Sequence, residues 1–385
     1  MDIKTDAVII GAGPAGISAA ISLQKAGVSN IVLEKSTFPR EKTCGGLVTH
    51  KTLKKVMGLL EAECFDDISS AFCDVSKKIG IYFKSERSTG TEVSEAVRFV
   101  RREQFDHFLV RKYKEQCGTI YEGVKDHKID NVEKKITIGD DRIIHYKYLV
   151  VADGALSHTR ETLGYKDPKQ GFCVETHIPK GVVTDPDEVR IYFGIIKKGY
   201  AWVFPWGEEV CVGLGGVYSK GIDYTDTLRR FLNDLGIDER SCKIKGAFVP
   251  YGEVVDQASG SVDTVLAGDA GGYVDPIYGE GLFFALTSGI EAAKAVISSG
   301  ELSDSSFKDL YMENMAPYAD IIKKGYKLQK VFFNGVAQSF FKKKMRGKDS
   351  FLSYYFDNLI SEYNYSYGEI RRLYSDYKKE KKKRS

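Results

Sequence analysis

The sequence predicts an α/β fold built from a Rossmann-type dinucleotide-binding domain, an inserted mainly antiparallel β-sheet domain and a helical C-terminal region. The chain opens with an apolar strand, a glycine turn and a helix, and a strand that ends in an acid recurs after residue 260. Between them lie alternating strands rich in Tyr, Phe, Trp and Val, while the last part is helical, basic and aromatic. We therefore assign the dinucleotide-binding domain to 1–165, the sheet domain to 166–260, the return to the first domain to 261–300, and the helical region with a basic tail to 301–385.

The first element is the strand, turn and helix around the motif Gly-Ala-Gly-Pro-Ala-Gly at residues 11–16. Gly11 permits the tight turn, Gly13 lets the backbone contact a pyrophosphate, and Gly16 lets the helix pack closely on the strand. The helix begins near Pro14 and Ala15, so its N-terminus faces the phosphates. This arrangement predicts a bound dinucleotide.

A second strand at 30–33 leads into Glu34 and Lys35. The Glu34 carboxylate stands about 20 residues beyond the glycines, where the motif needs an acceptor for ribose hydroxyls. An ordinary glycine turn would leave this acid unexplained. Residues 36–50 then form a polar, glycine-bearing loop that we expect to run over the cofactor.

The next elements complete the first part of this domain. A helix that starts at Arg101 and Arg102 places Phe105, Phe108 and Leu109 on one face. The sequence then predicts a third parallel strand at 119–124, a β-hairpin through 135–138 and 143–146, and a buried strand at 148–152 that ends in Asp153-Gly154.

The inserted domain begins near residue 170, where strand patterns replace helical ones except at 223–235. A strand at 262–266 then leads to Asp269, and a helix follows at 280–297. This repeats the theme of a strand that ends in an acid. The chain has therefore returned to the first domain.

Bulk properties exclude several classes of protein. No run approaches the roughly 18 apolar residues of a membrane span, and Met1 leads straight into the first strand, so we expect a soluble intracellular protein without a signal peptide. The seven cysteines are scattered and form no CxxC motif, which predicts neither a disulfide framework nor a metal site. A net charge of +3 gives no reason to expect a nucleic-acid partner.

Four separated stretches resemble the FAD-binding signatures of the p-hydroxybenzoate-hydroxylase-like flavoproteins: the glycine turn with its ribose acid, Asp153-Gly154, Gly268-Asp269, and the run that ends at Gly281. The resemblance implies that Asp269 holds the ribityl hydroxyls and that Val124 meets the adenine through its backbone. Arg102, in an Arg-x-x-Phe-Asp pattern, would reach the pyrophosphate or ribityl side. The cofactor-binding residues expected from motif and resemblance are Gly11, Gly13, Pro14, Ala15, Gly16, Glu34, Lys35, Cys44, Gly45, Arg102, Val124, Asp153, Gly154, Asp269, Pro276, Gly279, Gly281 and Leu282.

Helix electrostatics supports the last stretch. Gly279 and Gly281 lie at the start of the helix that begins near Glu280, where backbone N–H groups and a partial charge of about +0.5 are exposed. Such a terminus stabilises an anionic reduced flavin. A helix cap is the alternative interpretation of Asp269.

Two further stretches resemble the narrower geranylgeranyl reductase family. One is Lys-Thr-Cys-Gly-Gly at 42–46, and the other is Gly-Tyr-Ala-Trp-Val-Phe-Pro at 199–205, followed by glycines at 213 and 215. Members of this family are FAD proteins that saturate isolated double bonds of prenyl chains. The resemblance implies that an apolar tunnel is lined by Tyr200, Trp202, Phe204 and Pro205. The alternative is that these aromatic residues only form core.

Cys44 is the first candidate for the proton donor to the alkene, because a thiol in apolar surroundings keeps its proton at neutral pH. A small residue that shapes the loop is the alternative, and Tyr200 and Tyr278 are the next candidate donors.

The glycines at 213–216 lead into no amphipathic helix, so we expect no separate NADPH domain. Electrons would then come from transiently bound NAD(P)H or from a protein donor such as a ferredoxin.

A second reaction class remains open at this point. The 200–205 segment also resembles the Trp-x-Trp-x-Ile-Pro motif of FAD halogenases, although the first aromatic residue and the Ile are replaced. The alternative is therefore an FAD-dependent monooxygenase or halogenase of an aromatic small molecule.

The substrate predicted by the reductase family is a prenyl-chain lipid or a small isoprenoid, which suggests reversible docking on the inner face of the cell membrane. Cations beside aromatic residues in the C-terminal region fit this expectation: Lys323, Lys324, Lys327, Lys330, Phe332, Phe333, Phe340, Phe341, Lys342, Lys343, Lys344 and Arg346. A helical core and a merely solvated lysine tail are the alternative.

Overall fold

A computed structural model describes residues 2–139, 141–258, 260–301, 305–333 and 349–361, together with 377 and 379. Within them the strands form three sheets of four, five and eight strands. The predicted combination of α/β domain, inserted sheet and helical C-terminal part is confirmed.

The five-stranded sheet is parallel and carries the glycine turn. Its strands, in spatial order, are β17 (Thr264–Leu266), β11 (Tyr148–Val151), β2 (Ala7–Ile10), β3 (Asn30–Glu34) and β7 (Thr119–Glu122). Val8 and Ile9 are fully buried, as expected for a parallel sheet covered on both faces. The carboxyl ends of these strands meet at one edge, and this edge positions the site.

Helices cover this sheet and continue into the C-terminal region. They are α1 (Pro14–Lys25), α2 (His50–Leu60), α3 (Arg102–Glu115), α4 (His158–Thr162), α6 (Leu282–Glu301), α7 (Phe307–Phe332) and α8 (Asp349–Ser361), with α5 (Tyr224–Asp234) on the other sheet. The Ser18 hydroxyl donates to the carbonyl of Leu286 at 3.1 Å, and this bond joins α1 to α6. In the described ranges α6 alone is long and apolar enough to span a membrane, but 72% of that window is buried inside the protein.

The eight-stranded sheet is antiparallel apart from one parallel pair. In spatial order it contains β16 (Lys245–Pro250), β12 (Gln170–Pro179), β15 (Glu209–Val217), β14 (Gly199–Trp206), β13 (Val189–Phe193), β5 (Asp74–Phe83), β6 (Glu86–Phe99) and β4 (Leu47–Val48).

The sheet therefore takes three strands from residues 47–99, which the sequence prediction had placed with the first domain. The strands from residues 47–99 are joined to the rest of the sheet by the parallel pairing of β13 with β5, in which Ile191 lies opposite Ile81. Local patterns do not show a pairing between strands so far apart in the chain. In addition, the lysines at 77 and 78 interrupt the apolar alternation of β5.

A four-stranded sheet at the edge completes the fold. It consists of β1 (Asp2–Lys4), β10 (Arg142–His145), β9 (Lys135–Ile138) and β8 (His127–Asp130). The pair β9–β10 is the predicted hairpin, with Ile138 opposite Arg142.

The eight-stranded sheet has two differently covered faces. Its outer face packs against α5 through Leu228 and Phe231. Its inner face shares a core with Tyr355, Phe356 and Ile360 of α8. Part of the predicted membrane-docking surface, namely 340–346 and 380–385, lies outside the described residues.

Candidate active site

The glycine turn is shaped as a phosphate cradle. Gly11 has φ +100°, and a Cβ there would lie 2.4 Å from the carbonyl oxygen of Ala152. A Cβ at Gly16 would lie 1.8 Å from the Gly11 carbonyl oxygen, so the helix could not approach the strand. At Gly13 the nearest such neighbour is Arg40 Nη2 at 3.7 Å. No side chain caps α1 and no acid lies in its first turn, which leaves its N–H groups and positive end available to an anion.

Glu34 lies at the carboxyl end of β3 and is 4% exposed. Its Oε2 accepts a hydrogen bond from Ala12 N at 2.8 Å, and its Oε1 accepts one from Ser36 N at 3.0 Å. The predicted ribose acceptor is therefore held against the glycine turn.

Val124 N donates to the Glu34 carbonyl oxygen at 2.9 Å, so only the Val124 carbonyl is left for the adenine. Lys35 is exposed.

Two arginines share one buried carboxylate beside this turn. Arg102 donates to Asp106 through Nε at 2.7 Å and through Nη2 at 2.8 Å. Arg40 Nη2 lies 3.3 Å from Asp106 Oδ2, and Arg40 Nε lies 3.6 Å from Glu34 Oε1. The guanidinium that stands opposite Gly13 is therefore that of Arg40, which the sequence reasoning missed. The sequence feature that could have identified Arg40 was its position in the loop that follows Glu34, the predicted ribose acceptor.

The Asp153-Gly154 turn leaves a polar atom without a partner. Asp153 Oδ2 accepts from Thr159 N at 3.2 Å, while the buried Oδ1 has no hydrogen-bond partner among the described residues. Gly154 has φ +94° and open space where a Cβ would be. Arg160 is 1% exposed and donates from Nη1 to the Ala270 carbonyl at 3.1 Å. This bond connects the segment after Asp153-Gly154 to the segment after Gly268-Asp269. An orphaned acceptor beside an open glycine fits a ligand with hydroxyl donors.

The third acid and the start of α6 lie together. A Cβ at Gly281 would lie 3.6 Å from Asp269 Oδ1. The side chain of Asp269 makes no hydrogen bond within the described chain, whereas Asp275 Oδ1 accepts from Ile277 N at 2.8 Å and Tyr278 N at 2.7 Å. Asp275 thus closes the local turn at 275–278, and burial raises its pKa to about 6. Asp269 keeps its acceptor oxygens for a ligand.

The segment 276–282 lies between this acid and the eight-stranded sheet. Gly279 has φ +67°, and a Cβ there would lie 3.7 Å from the Tyr200 hydroxyl. The Pro276 carbonyl accepts from Gln329 of α7, and Leu282 is the first residue of α6. The 276–282 segment and the eight-stranded sheet therefore face each other here.

An aromatic row lines the inner face of β14. The ring centroid of Trp202 lies 5.9 Å from that of Tyr200 and 6.0 Å from that of Phe204. Pro205 occupies an intervening position, so strand alternation turns it to the opposite face and away from a substrate on this row. Among the four residues predicted to contact the substrate, Pro205 is the one whose contact the strand geometry disfavours.

The Cys-Gly-Gly loop lies directly on this row. A Cβ at Gly45 would lie 3.1 Å from Phe204 and 3.3 Å from Trp202 Nε1, closer than ordinary contacts. The two stretches that resemble the geranylgeranyl reductases therefore meet in space, although about 150 residues separate them in the chain.

The three predicted catalytic residues surround the same space. Cys44 Sγ accepts weakly from Gly46 N at 3.5 Å. The Tyr200 hydroxyl donates to the Tyr278 carbonyl, and the Tyr278 hydroxyl shares a hydrogen bond with that of Tyr355. Burial raises the pKa of Tyr200 well above its ordinary value of 10, so this phenol stays protonated. The predicted roles in proton transfer remain predictions.

One carboxyl group in this site was missed by the sequence reasoning. Glu175 on β12 is 3% exposed, accepts from Cys44 N at 2.8 Å through Oε1, and has Oε2 3.7 Å from Cys211 Sγ. Burial raises its pKa to about 7. The sequence feature that could have identified it was an acid within the strand segment Phe-Cys-Val-Glu-Thr-His-Ile at 172–178.

His177 adjoins this acid and stacks on Trp206, with 3.8 Å between ring centroids. Burial lowers its pKa to about 4, so the imidazole is neutral. Ligand atoms of Glu175, His177 and Cys211 lie within 4.8 Å of one another, which is close enough to share a metal ion. The sequence predicted no metal, and that prediction stays untested.

These features fit FAD. The glycine turn and the bare start of α1 suit its pyrophosphate, Glu34 suits the ribose, and the unpartnered oxygens of Asp153 and Asp269 suit hydroxyl groups. A dinucleotide cradle that faces a sheet lined with aromatic residues fits the class of FAD-dependent oxidoreductases, in which the fold positions the cofactor against the substrate.

The chain belongs to the FAD binding domain family, whose sequence pattern matches residues 4–209. It is 29% identical over 328 residues to a menaquinone reductase of Mycobacterium tuberculosis, covering 77% of this chain and 78% of the relative. It is 26% identical over 324 residues to a geranylgeranyl diphosphate reductase of Rhodobacter capsulatus, covering 78% of each chain. The predicted resemblance to the geranylgeranyl reductases is confirmed.

Solved structures support the same fold. A geranylgeranyl bacteriochlorophyll reductase-like protein of Thermoplasma acidophilum superposes with a TM-score of 0.74 at 20% identity, covering 97% of this chain and 96% of that one. A flavin-dependent brominase superposes with a TM-score of 0.72 at 20% identity, covering 98% and 100%. At such identities the likeness concerns the fold alone.

Proposed function

We propose that the protein reduces isolated carbon–carbon double bonds of a prenyl chain of the geranylgeranyl type, carried by a lipid or a prenyl diphosphate. The observation that carries the proposal is the contact of Gly45 with Trp202 and Phe204, which sets an apolar aromatic wall against the loop nearest the cofactor. A prenyl chain is apolar along its length, so such a wall can hold it without polar partners. The names of the relatives described above support this substrate class.

The chain's own residues bind, orient and exclude water. FAD, when bound, supplies a hydride, with electrons from NAD(P)H or a protein donor such as a ferredoxin. Tyr200, Trp202 and Phe204 supply an apolar wall beside the 44–46 loop that holds the alkene and keeps water from the reacting carbons. Cys44 or a neighbouring hydroxyl, that of Tyr200 or Tyr278, gives the proton, since the loop of Cys44 lies against the row, where a Cβ at Gly45 would lie 3.3 Å from Trp202 Nε1.

The test is an anaerobic reduction. The purified protein is reduced with dithionite, geranylgeranyl diphosphate is added, and the product mass is measured. We expect an increase in steps of two hydrogens together with reoxidation of the flavin. Trp202→Ala should lower turnover about tenfold or more while FAD content is kept, because about 2–3 kcal/mol of apolar contact with the chain is lost. Absence of both product and reoxidation with prenyl diphosphates and prenyl lipids alike would refute the proposal.

A second candidate is an FAD-dependent monooxygenase or halogenase of an aromatic small molecule. The superposition with a flavin-dependent brominase favours it at the level of fold. Oxygen separates the two classes, because a hydroxylase or halogenase consumes O₂ in the presence of its substrate, whereas prenyl reduction proceeds without it. Oxygen-electrode traces with and without aromatic substrates decide the matter.

We further propose that the protein is cytoplasmic and docks reversibly on the inner face of the membrane to reach a prenyl lipid. Support comes from the run of lysines on α7, of which Lys324 also pairs with Asp320 at 2.6 Å. Each cation near an anionic leaflet contributes about 1 kcal/mol. Sedimentation with phosphatidylserine vesicles should show binding that falls with salt and with removal of residues 378–385. A protein that stays in the supernatant at low salt would point instead to a soluble substrate.

A further inference from the structure

Glu280 is an acid at the start of a helix that it does not cap. It lies between Gly279 and Gly281, just before α6 begins at Leu282, and its side chain is 15% exposed. An acid in this position ordinarily accepts hydrogen bonds from the first N–H groups of its own helix. Every hydrogen bond and ion pair described for the Glu280 carboxylate goes instead to the start of α2.

Three side chains at the start of α2 hold this carboxylate. Thr49 Oγ1 donates to Glu280 Oε1 at 2.7 Å, and Thr52 Oγ1 donates to the same oxygen at 3.1 Å. Lys51 Nζ lies 2.8 Å from Oε2, and the Lys51 side chain is 13% exposed. Because both oxygens are engaged, the carboxylate cannot turn toward α6 without losing these partners. The paired charges therefore stay in one place.

The ammonium group of Lys51 also contacts the first turn of α6. Its Nζ lies 5.2 Å from the ring centroid of Phe283, and Lys55, one turn further along α2, has its Nζ at 5.9 Å from the same centroid. Phe283 is 1% exposed. Low exposure and an apolar neighbour weaken the screening of these charges by water and salt. A change in either charge is therefore felt by its surroundings.

The segment assigned to the cofactor responds to both charges. Asp275 closes the local turn, and its N–H donates to the carbonyl of Glu280 at 3.1 Å. Burial raises the pKa of Asp275 to about 6, and beside this main cause Glu280 raises that pKa while Lys51 lowers it. The two charges thus oppose each other at this segment. Removal of one leaves the other uncompensated.

We propose that the ion pair of Lys51 with Glu280 sets the reduction potential of the FAD held by the 276–282 segment. Reduction takes up two electrons and one proton, so the bound flavin gains one negative charge. An unpaired carboxylate at the start of α6 opposes that charge, and an unpaired ammonium group favours it. The proposal rests on the binding of FAD at this segment and is independent of the prenyl substrate.

Two variants change the charge and keep the shape. Glu280→Gln retains an amide oxygen that accepts from Thr49 and Thr52, but it leaves Lys51 without its carboxylate. Lys51→Met retains an apolar stem against Phe283 and leaves Glu280 without its cation. Combination of the two removes both charges together.

A second ion pair of the same helix provides matched controls. Lys25 Nζ lies 2.9 Å from Glu61 Oε1, where Glu61 directly follows the last residue of α2. This pair joins α2 to α1 at the end remote from the cofactor segment. Glu61→Gln and Lys25→Met therefore make the same changes of charge without changing the charge at the start of α6.

The measured quantity is the midpoint potential of the purified FAD-loaded protein, reduced anaerobically by xanthine and xanthine oxidase against a reference dye. At pH 8 the carboxyl group of Asp275 is ionised in every variant. We expect the ratio of reduced to oxidised flavin at a fixed potential to rise about tenfold in Glu280→Gln and to fall about tenfold in Lys51→Met. For a two-electron couple each change is about 30 mV. The double variant and both controls should match the parent.

Opposite signs and their cancellation identify an effect of charge, because a structural disturbance does not reverse between the two variants. Single variants that both match the parent, or that both shift in the same direction, would overturn the proposal. If Glu280→Gln is recovered without FAD, Lys51→Met decides alone, and a potential there that is unchanged or raised would overturn it. A parent that reduces no prenyl chain would refute the proposed function and leave these potentials as they are.

Discussion

At the scale of single residues, burial rather than ion pairing controls the acids of this site. Glu175 and Asp275 both lie inside the protein, and burial raises their pKa values to about 7 and about 6. Glu34, which is also buried, accepts hydrogen bonds from two backbone N–H groups and has the guanidinium of Arg40 at 3.6 Å. Three carboxyl groups of one molecule are therefore suited to different tasks by their surroundings.

The raised pKa of Glu175 makes a prediction about stability. Because the folded value of about 7 exceeds the ordinary 4.5, the stabilisation is fully present below pH 4.5 and is lost as the pH rises through 7. The difference corresponds to about 3 kcal/mol. Glu175→Gln does not titrate, so its melting temperature relative to the parent should rise between pH 5 and pH 8. A difference that stays constant over this range would show that the buried acid does not titrate as described.

FAD retention tests the two acids assigned to hydroxyl groups. Glu34→Ala and Asp269→Ala each remove a charged acceptor, which costs about 1.5–3 kcal/mol, or roughly 10- to 150-fold in affinity. Glu34→Ala should have the larger effect, because it also releases Ala12 N in the glycine turn. Flavin content after gel filtration measures this, with exposed Glu63→Ala as the control. Full occupancy in both variants would contradict the assignment.

At the scale of elements, the crossing of α1 and α6 fixes the cofactor edge. Gly289 brings α6 so close to α1 that a Cβ would lie 2.0 Å from the Ala15 carbonyl oxygen and 2.1 Å from Ser18 Oγ. Both helices direct their N-termini at the site, so their spacing sets the distance between the phosphate cradle and the 276–282 segment.

Replacement of helical glycines tests this crossing. Gly289→Ala should destabilise the protein by about 1–3 kcal/mol, because backbone atoms must move apart. Gly58→Ala in α2 is the matched control: nothing lies within 4 Å of its Cβ, so we expect stabilisation by about 0.5–1 kcal/mol from helix propensity. Thermal unfolding and FAD content measure both effects. A neutral Gly289→Ala would mean that the helices can separate freely.

At the scale of the whole molecule, the aromatic wall that we propose to hold the substrate is assembled from distant parts of the chain. Its cluster joins Phe99 of β6, Trp202 and Phe204 of β14, Ile277 of the cofactor segment, and Phe356 of α8. Ser94 fixes α8 to β6 by donating from N at 2.6 Å and from Oγ at 2.8 Å to Asp357 Oδ1. No contiguous segment contains this wall.

It follows that residues 166–260 should not fold when expressed alone. That fragment lacks β4, β5 and β6, so β13 loses its parallel partner and becomes an unpaired edge whose Phe193 no longer contacts Phe83. We expect an aggregated or unfolded fragment by circular dichroism and gel filtration, next to a folded full-length chain. A soluble fragment with a cooperative melt would restore the predicted boundary between the domains.

The sequence by itself determined the cofactor half of this protein. Strand, glycine turn, helix and acid are consecutive, and each requirement there is local: a φ of +100° at Gly11, a close approach at Gly16, and a carboxylate at the end of the next strand. Local requirements leave local patterns, so the parallel strands, the hairpin and Glu34 were all predictable. The resemblance to the geranylgeranyl reductases came from two short motifs in the same way.

The tertiary structure decided what depends on contacts between distant residues. In the folded protein the 44–46 loop lies on the aromatic row, and β4–β6 belong to the eight-stranded sheet. Pro205 faces away from the row, and Arg40 lies opposite Gly13. The tertiary structure also gave Glu175 its surroundings, since an acid in a strand reveals neither its burial nor its partners. The physical reason is that register, burial and desolvation arise from pairings between segments far apart in sequence, and a one-residue change of register would reverse the facing of every side chain on a strand.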